Sequence, residues 1–307
     1  MKRTLQELTI KDDFLFGAVM LEEANCRRLL ELAAAISVRS VEVSREKSFV
    51  YHPEYRGVRL DVYAKDEKNT RYNVEMQVVK RAGLVKRARY YRSQMDMDLL
   101  LAGYEYEELP ETYVIFICDF DPFDAGLYRY TFESRCREEN SRSLGEGCRY
   151  IFLSTYGRNE DDVPEALVKF LDFVHADLQT SQGDFQDDFV SQLQRTVQKV
   201  KESRDMEERF MTLEELLKDK MEEGRSEGRA EGRKEGRKEG RKEGRKEGMS
   251  QSLLFLLKAR GSVSEKLEKR ITSEQDAALL EKWMKLAAAA ESVEQFEKEI
   301  LAFSNLI

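Results

Sequence analysis

Gly57-Val-Arg-Leu-Asp61-Val-Tyr-Ala64 and Arg71-Tyr-Asn73-Val-Glu75-Met-Gln77-Val-Val79, joined by a turn from Lys65 to Thr70, alternate apolar and polar side chains. A period of two is the mark of strands with one apolar face. Val58, Leu60, Val62 and Ala64 fall on one face, with Arg59, Asp61 and Tyr63 on the other. In the second stretch Tyr72, Val74, Met76 and Val78 oppose Arg71, Asn73, Glu75 and Gln77. An antiparallel hairpin centred near Lys68 sets Asp61 opposite Glu75 with β-carbons about 5 Å apart, and Gln77 lies two residues along on the same face. Two carboxylates that close repel, and a divalent cation is their natural compensator. Mg²⁺, with Mn²⁺ as a substitute, takes oxygen ligands and completes its shell with water and substrate phosphate. It would also activate a bound water as a nucleophile. The alternative is a hairpin whose polar face is merely solvated.

Immediately downstream, Lys80, Arg81, Lys86, Arg87, Arg89 and Arg92 fall in a run with no acidic residue, with Tyr90 and Tyr91 interleaved. Such a patch beside a carboxylate pair would hold a phosphate backbone next to the metal. Taken alone, it also fits a solvated helix face.

The rest of the chain narrows the class. Its 307 residues carry a net charge of -8 and are 41% hydrophobic, enough for a core and too much for a disordered chain. No apolar run reaches the ~18 residues of a membrane span and no secretory leader is evident, so a soluble, cytoplasmic protein is expected. The four cysteines (Cys26, Cys118, Cys136, Cys148) and two histidines (His52, His175) are scattered, which argues against a zinc site, a disulfide scaffold or a His-based hydrolase. The cysteines read as buried small apolar residues.

Periodicity predicts a helix over residues ~11 to 36, strands at Val58–Ala64, Tyr72–Val79, Thr112–Cys118, Leu127–Phe132 and Arg149–Ser154, and helices at Leu84–Ala102 and Pro164–Leu178. The result is a mixed α/β domain over residues 1–178. An amphipathic connector follows at 179–222. Next comes a Glu-Gly-Arg-Lys repeat at 223–248, whose seven glycines argue for a solvated spacer, either weak helix or flexible linker. A helical tail at 249–307 carries two capping-box patterns, Thr272-Ser-Glu-Gln275 and Ser292-Val-Glu-Gln295. Asp119, Asp121 and Asp124 suggest either a second metal site or loop capping, with capping favoured by Pro122; His175 reads as structural.

Asp61, Asn73-Val-Glu75-Met-Gln77 and Lys86-Arg-Ala-Arg89-Tyr-Tyr91 resemble the PD-(D/E)XK nuclease superfamily, most closely its Rpn branch of bacterial recombination-promoting nucleases or transposases. Lys11-Asp-Asp-Phe-Leu-Phe16 and Tyr113-Val-Ile-Phe-Ile-Cys-Asp-Phe-Asp-Pro-Phe123 extend the likeness, which spans about residues 8–178. The resemblance implies a restriction-endonuclease-like core, a central mixed sheet flanked by helices, followed here by a helical C-terminal extension. It implies a Mg²⁺-dependent DNA endonuclease tied to recombination or mobile elements, with Asp61 and Glu75 as metal ligands. Gln77 stands in the position of the superfamily's lysine, where an amide can orient a water but cannot act as a base, and Leu60 replaces the motif's proline. The first helix of such proteins sometimes adds an acid; Asp13, Glu22 and Glu31 are the candidates, with surface or capping roles as the alternative. Lys80, Arg81, Lys86, Arg87, Arg89 and Arg92 would grip DNA, and a homodimer through the C-terminal helices would suit double-strand cleavage. The rival readings are a catalytically silent DNA-binding module on the same fold and a protein-interacting adaptor working through the repeat and tail.

Overall fold

A computed structural model describes residues 3–45, 47–49, 58–100 and 102–304; His52 and Gly57 lie outside these. The chain forms two compact units, Met1–Glu214 and Glu215–Ile307.

The first unit begins with α1 (Asp13–Met20) and α2 (Glu23–Ala34), two helices where periodicity predicts one. Asp12 caps α1 by accepting the Phe14 N–H. Buried Asn25 donates its amide to the Val19 carbonyl at 3.0 Å, satisfying the end of α1 where the chain breaks before α2. Strands β1 (Val41–Arg45), β4 (Val62–Asp66), β5 (Arg71–Gln77), β6 (Thr112–Cys118), β7 (Arg129–Phe132) and β8 (Cys148–Ser154) form one sheet in the order β1-β4-β5-β6-β8-β7. The β5-β6-β8 centre is parallel, and β1, β4 and β7 run antiparallel to their neighbours. Beyond it, β2 (Ser48–Phe49) and β3 (Val58–Arg59) make a separate two-stranded ribbon. Helix α3 (Leu84–Leu99) follows β5, and α4 (Glu165–His175) and α5 (Asp188–Glu202) follow β8.

One sheet face, with Tyr72, Val74, Met76, Ile115, Ile117 and Leu153, packs on α1, α2, α4 and α5. The other, with Val114, Phe116, Cys118 and Phe152, packs on Ala88 and Met95 of α3. This α/β/α sandwich has the architecture of the PD-(D/E)XK fold. The first core continues past residue 178: Phe189, Val190, Leu193 and Val200 of α5 are buried in it, and Phe210 meets Phe14 edge-on at 5.3 Å. The stripe that reads as a connector is thus the inward face of a core helix.

The predicted Val58–Ala64 strand is two strands. Val58 and Leu60 pack on the α3 side, whereas Val62 and Ala64 pack on the opposite face. The face switches at Leu60–Asp61, where the Leu60 N–H turns to the Lys47 carbonyl. Past β4, the Asp66 carboxylate closes the turn by accepting the Lys68 and Thr70 N–H groups and the Tyr72 hydroxyl.

Gly157, just after β8, leaves room for the buried Tyr128 ring, and a Cβ there would overlap ring carbons. Gly157→Ala is expected to lower stability by about 1–3 kcal/mol, read as a reduced urea midpoint; an unchanged midpoint would mean that the ring yields.

A single helix, α6 (Arg204–Lys258), carries the repeat, and every side chain from Glu223 to Arg245 is exposed. Its helical turns are nucleated in the apolar segments on either side, so the glycine-rich stretch has only to propagate. In the second unit Leu253, Leu254 and Leu257 of α6 share a core with Leu267 and Ile271 of α7 (Glu265–Ser273), Trp283 of α8 (Ala277–Ala289) and Phe296 of α9 (Val293–Ser304). Ser292 caps α9 through the Gln295 N–H, as its capping-box pattern predicts. Thr272 does not cap: it lies inside α7 and bonds back to the Glu268 carbonyl, and Asp276 caps α8 instead. No helix among the described residues is long and apolar enough to cross a membrane.

Candidate active site

The β4-β5 register pairs Val62 with Val74 and Tyr63 with Asn73, which places Asp61 beside Glu75 at the mouth of the hairpin. Main-chain groups lock the two together. The Asp61 N–H donates to Glu75 Oε1 at 3.3 Å, and the Met76 N–H donates to Asp61 Oδ2 at 3.2 Å. The polar face they share is not solvated, because α3 covers it: Asn73 is 0%, Glu75 4% and Gln77 8% exposed.

Burying two acids side by side raises their affinity for protons. Burial, and then the nearby Asp13 charge, pushes the Asp61 carboxyl up to about 7; the Met76 N–H, Arg59 and Arg87 act against this. Glu75 is raised well above the usual range by burial and then by Asp61. The Asp61 N–H and Arg87 offset part of that. Of the three first-helix acids, Asp13 is the one near the pair. Glu22 accepts the Thr196 hydroxyl, while Glu31 pairs with Arg27 and Arg28.

Gln77 is held at both ends of its amide. Its Nε2 donates to the Val79 carbonyl at 2.7 Å, and its Oε1 accepts from Arg87. The Arg87 guanidinium lies over the Phe116 and Tyr91 rings, 4.9 and 5.7 Å from their centroids. A cation therefore does enter the site beside Gln77, but from α3 rather than from β5.

The basic run does not make one strip. Arg87 turns inward, Lys80 pairs with Asp124 at 2.7 Å, and Arg92 lies between Asp96 and Glu146. Arg81, Lys86 and Arg89 are exposed and make no ion pair among the described residues. Sequence alternation identifies the carboxylates, but the inward turn of Arg87 depends on how α3 docks.

Asp121 is a loop anchor, as loop capping predicts: it accepts the Phe123 and Gly126 N–H groups and the Tyr130 hydroxyl. Asp119 is more connected than its sequence context suggests. Following β6, it lies 2.7 Å from His175 Nδ1 and accepts from Thr155 and from Lys11 Nζ. His175 is thus tied to a carboxylate at the same sheet end as Gln77, whose carbonyl accepts the Asp119 N–H. Buried Cys26 and Cys118 match the sequence reading, with their thiols pushed up to about 12 by burial.

The donors suit a hard divalent cation. Half-buried Asp61 and buried Glu75 make no ion pair among the described residues, and the Asn73 amide, fully buried, lies beside Glu75. No three His, Cys, Asp or Glu side chains among the described residues converge on a metal position. Two carboxylates, with the remaining positions left to water and phosphate, is a usual arrangement for Mg²⁺.

A mixed sheet with helices on both faces, bearing one acid just before β4 and its pair on β5, followed by a basic helix, defines a nuclease-like domain of the PD-(D/E)XK class. A family model described as "PD-(D/E)XK nuclease family transposase" matches residues 10–226, and the chain belongs to that family. The match reaches through α5 into α6, in line with the extended core. No curated protein and no solved structure matches the chain.

Proposed function

We propose that this protein is a divalent-metal-dependent DNA endonuclease that hydrolyses phosphodiester bonds. The observation that carries this reading is the mutually clamped pair of half-buried Asp61 and buried Glu75, whose unfavourable charge has no counter-ion bonded to it among the described residues. Asp61 and Glu75 would hold Mg²⁺ or Mn²⁺, which when bound polarises the phosphoryl group and lowers the pKa of a coordinated water. Gln77 retains one free lone pair and one free proton, enough to orient a water. Arg87 supplies the positive charge that an amide lacks. Arg81, Lys86 and Arg89, without acidic partners among the described residues, are the phosphate contacts; Lys80 and Arg92 would first have to leave Asp124 and Glu146. Cutting both strands with one site per chain calls for two copies, and we assign that pairing to the second unit, Glu215–Ile307.

The test is a plasmid assay. Supercoiled DNA is expected to become open-circular with Mg²⁺ or Mn²⁺ and to stay intact in EDTA; nicking that persists in EDTA overturns the reading. A second reading, a DNA-binding module that does not cut, is favoured by the engagement of both ends of the Gln77 amide. It predicts salt-sensitive DNA binding with no nicking in either metal.

A further inference from the structure

Between α3 and the β7-β8 edge lies a cavity of about 250 Å³ lined by Val85, Lys86, Arg89, Phe123, Phe132, Tyr150 and Phe152. Its walls are aromatic: Phe123 meets Phe132 at 4.9 Å and stands edge-on to Phe152 at 5.1 Å. Phe132 is 44% exposed and Val85 56%, so apolar surface stays open to solvent. The wall is fixed in place. Asp121, which anchors the loop after β6, takes the Phe123 N–H as well as the Gly126 N–H and the Tyr130 hydroxyl.

The two charged side chains in the lining are both cations, and neither has an acidic partner among the described residues. A slot of ring faces edged by free positive charge complements a ligand that is flat at one end and anionic at the other. It also adjoins the candidate active site: Phe116, beneath Arg87, stacks on Phe152 at 5.5 Å with the rings 10° from parallel.

We propose that this cavity takes an unpaired nucleobase of the DNA, with Lys86 and Arg89 holding its phosphate. This rests on the reading of the protein as a DNA enzyme and extends it: the preferred substrate is DNA with an extruded or unpaired nucleotide beside the cut. A base stacked on aromatic faces gains affinity whatever its identity, so the preference is for structure rather than sequence.

The test uses the full-length protein in EDTA, with two oligonucleotide duplexes identical except for one bulged 2-aminopurine. The bulged duplex is expected to bind roughly 5- to 150-fold more tightly than the paired one, with the 2-aminopurine fluorescence quenched. Phe132→Leu is expected to abolish both the preference and the quenching, and Phe132→Trp to keep them. Equal affinity for the two duplexes, or quenching retained in Phe132→Leu, overturns the proposal while leaving the nuclease reading intact. A loss that falls equally on both duplexes assigns Phe132 to packing and also overturns it. So does a change in sedimentation of the DNA-free Phe132→Leu protein, which would make the cavity an interface between copies. Failure to bind either duplex overturns this proposal, while the nuclease reading stands or falls on the plasmid assay with metal. Capture of the bulged base without nicking in any metal sinks only the cleavage.

Discussion

Asp61→Asn is expected to reduce metal-dependent nicking by about 10³-fold and, in metal-free buffer, to make the first unit more stable. The two effects share one cause. Asp61 is half-buried against buried Glu75, and its carboxyl is pushed up to about 7 from its usual 3.8. Because the folded pKa lies above the unfolded one, the native state holds its proton longer. The contribution of Asp61 to stability is therefore greatest below about pH 4, falls as pH rises towards about 7, and is flat beyond that. Glu75, also raised, adds a slope of the same sign.

Above pH 7, removing the Asp61 charge relieves a strain on the order of 2–4 kcal/mol, which should appear as a melting temperature several degrees higher. Saturating Mg²⁺ should raise the wild-type melting temperature in the same range, since a ligand that binds only the native state stabilises it, and should do little for Asp61→Asn. Thermal melts across pH, with EDTA and with Mg²⁺, measure all of this. A melting-temperature difference between wild type and Asp61→Asn that is independent of pH between 4 and 7 would remove the electrostatic basis of the site.

Arg87→Met is expected to lower the nicking rate by about 10²–10³-fold while leaving DNA affinity close to wild type. On the proposed function Arg87 would be a positioning residue. It fixes the Gln77 amide and lowers the proton affinity of Asp13, Asp61 and Glu75. Without it the carboxylates hold their protons to higher pH, so the rise of rate with pH should move upward. Arg87→Lys keeps the charge but loses the planar fork and the stacking over Phe116 and Tyr91, and should recover the pH profile better than the rate. The split between kcat and KM separates this role from that of Lys86 and Arg89, whose loss should raise KM and weaken the salt dependence instead. If Arg87→Met changes only KM, Arg87 is a phosphate contact and the positioning role is wrong.

The hairpin was legible because its alternation and turn are local, and Asp61 does lie beside Glu75. What local pattern could not reveal was which side of the polar face meets water. Asn73, Glu75 and Gln77 look like a solvated edge until α3 is laid over them. The same docking sorts the basic residues of α3, because a helix distributes neighbours around its axis: Arg87 turns into the site, Arg92 pairs with acids, and Lys86 and Arg89 make no ion pair among the described residues, while Lys80 and Arg81 lie in the segment before the helix. The switch at Leu60–Asp61 was hidden for a related reason, since Val58 to Ala64 alternates without a flaw and only its pairing with Lys47 and β1 splits it. Helix α5 read as a connector because an amphipathic stripe does not say whether it meets its own domain or another chain.

The clamp between Asp61 and Glu75 also has a bearing on the order of folding. Its two hydrogen bonds join groups only 14 and 15 residues apart, so the acids come together as soon as the hairpin closes. At that stage they are still wet and their repulsion is screened. The unfavourable part, desolvation, arrives later with α3, which brings Arg87 along with it. The electrostatic strain thus belongs to the docking of α3 rather than to closure of the hairpin, so a bound divalent cation is expected to lower the unfolding rate while changing the refolding rate little.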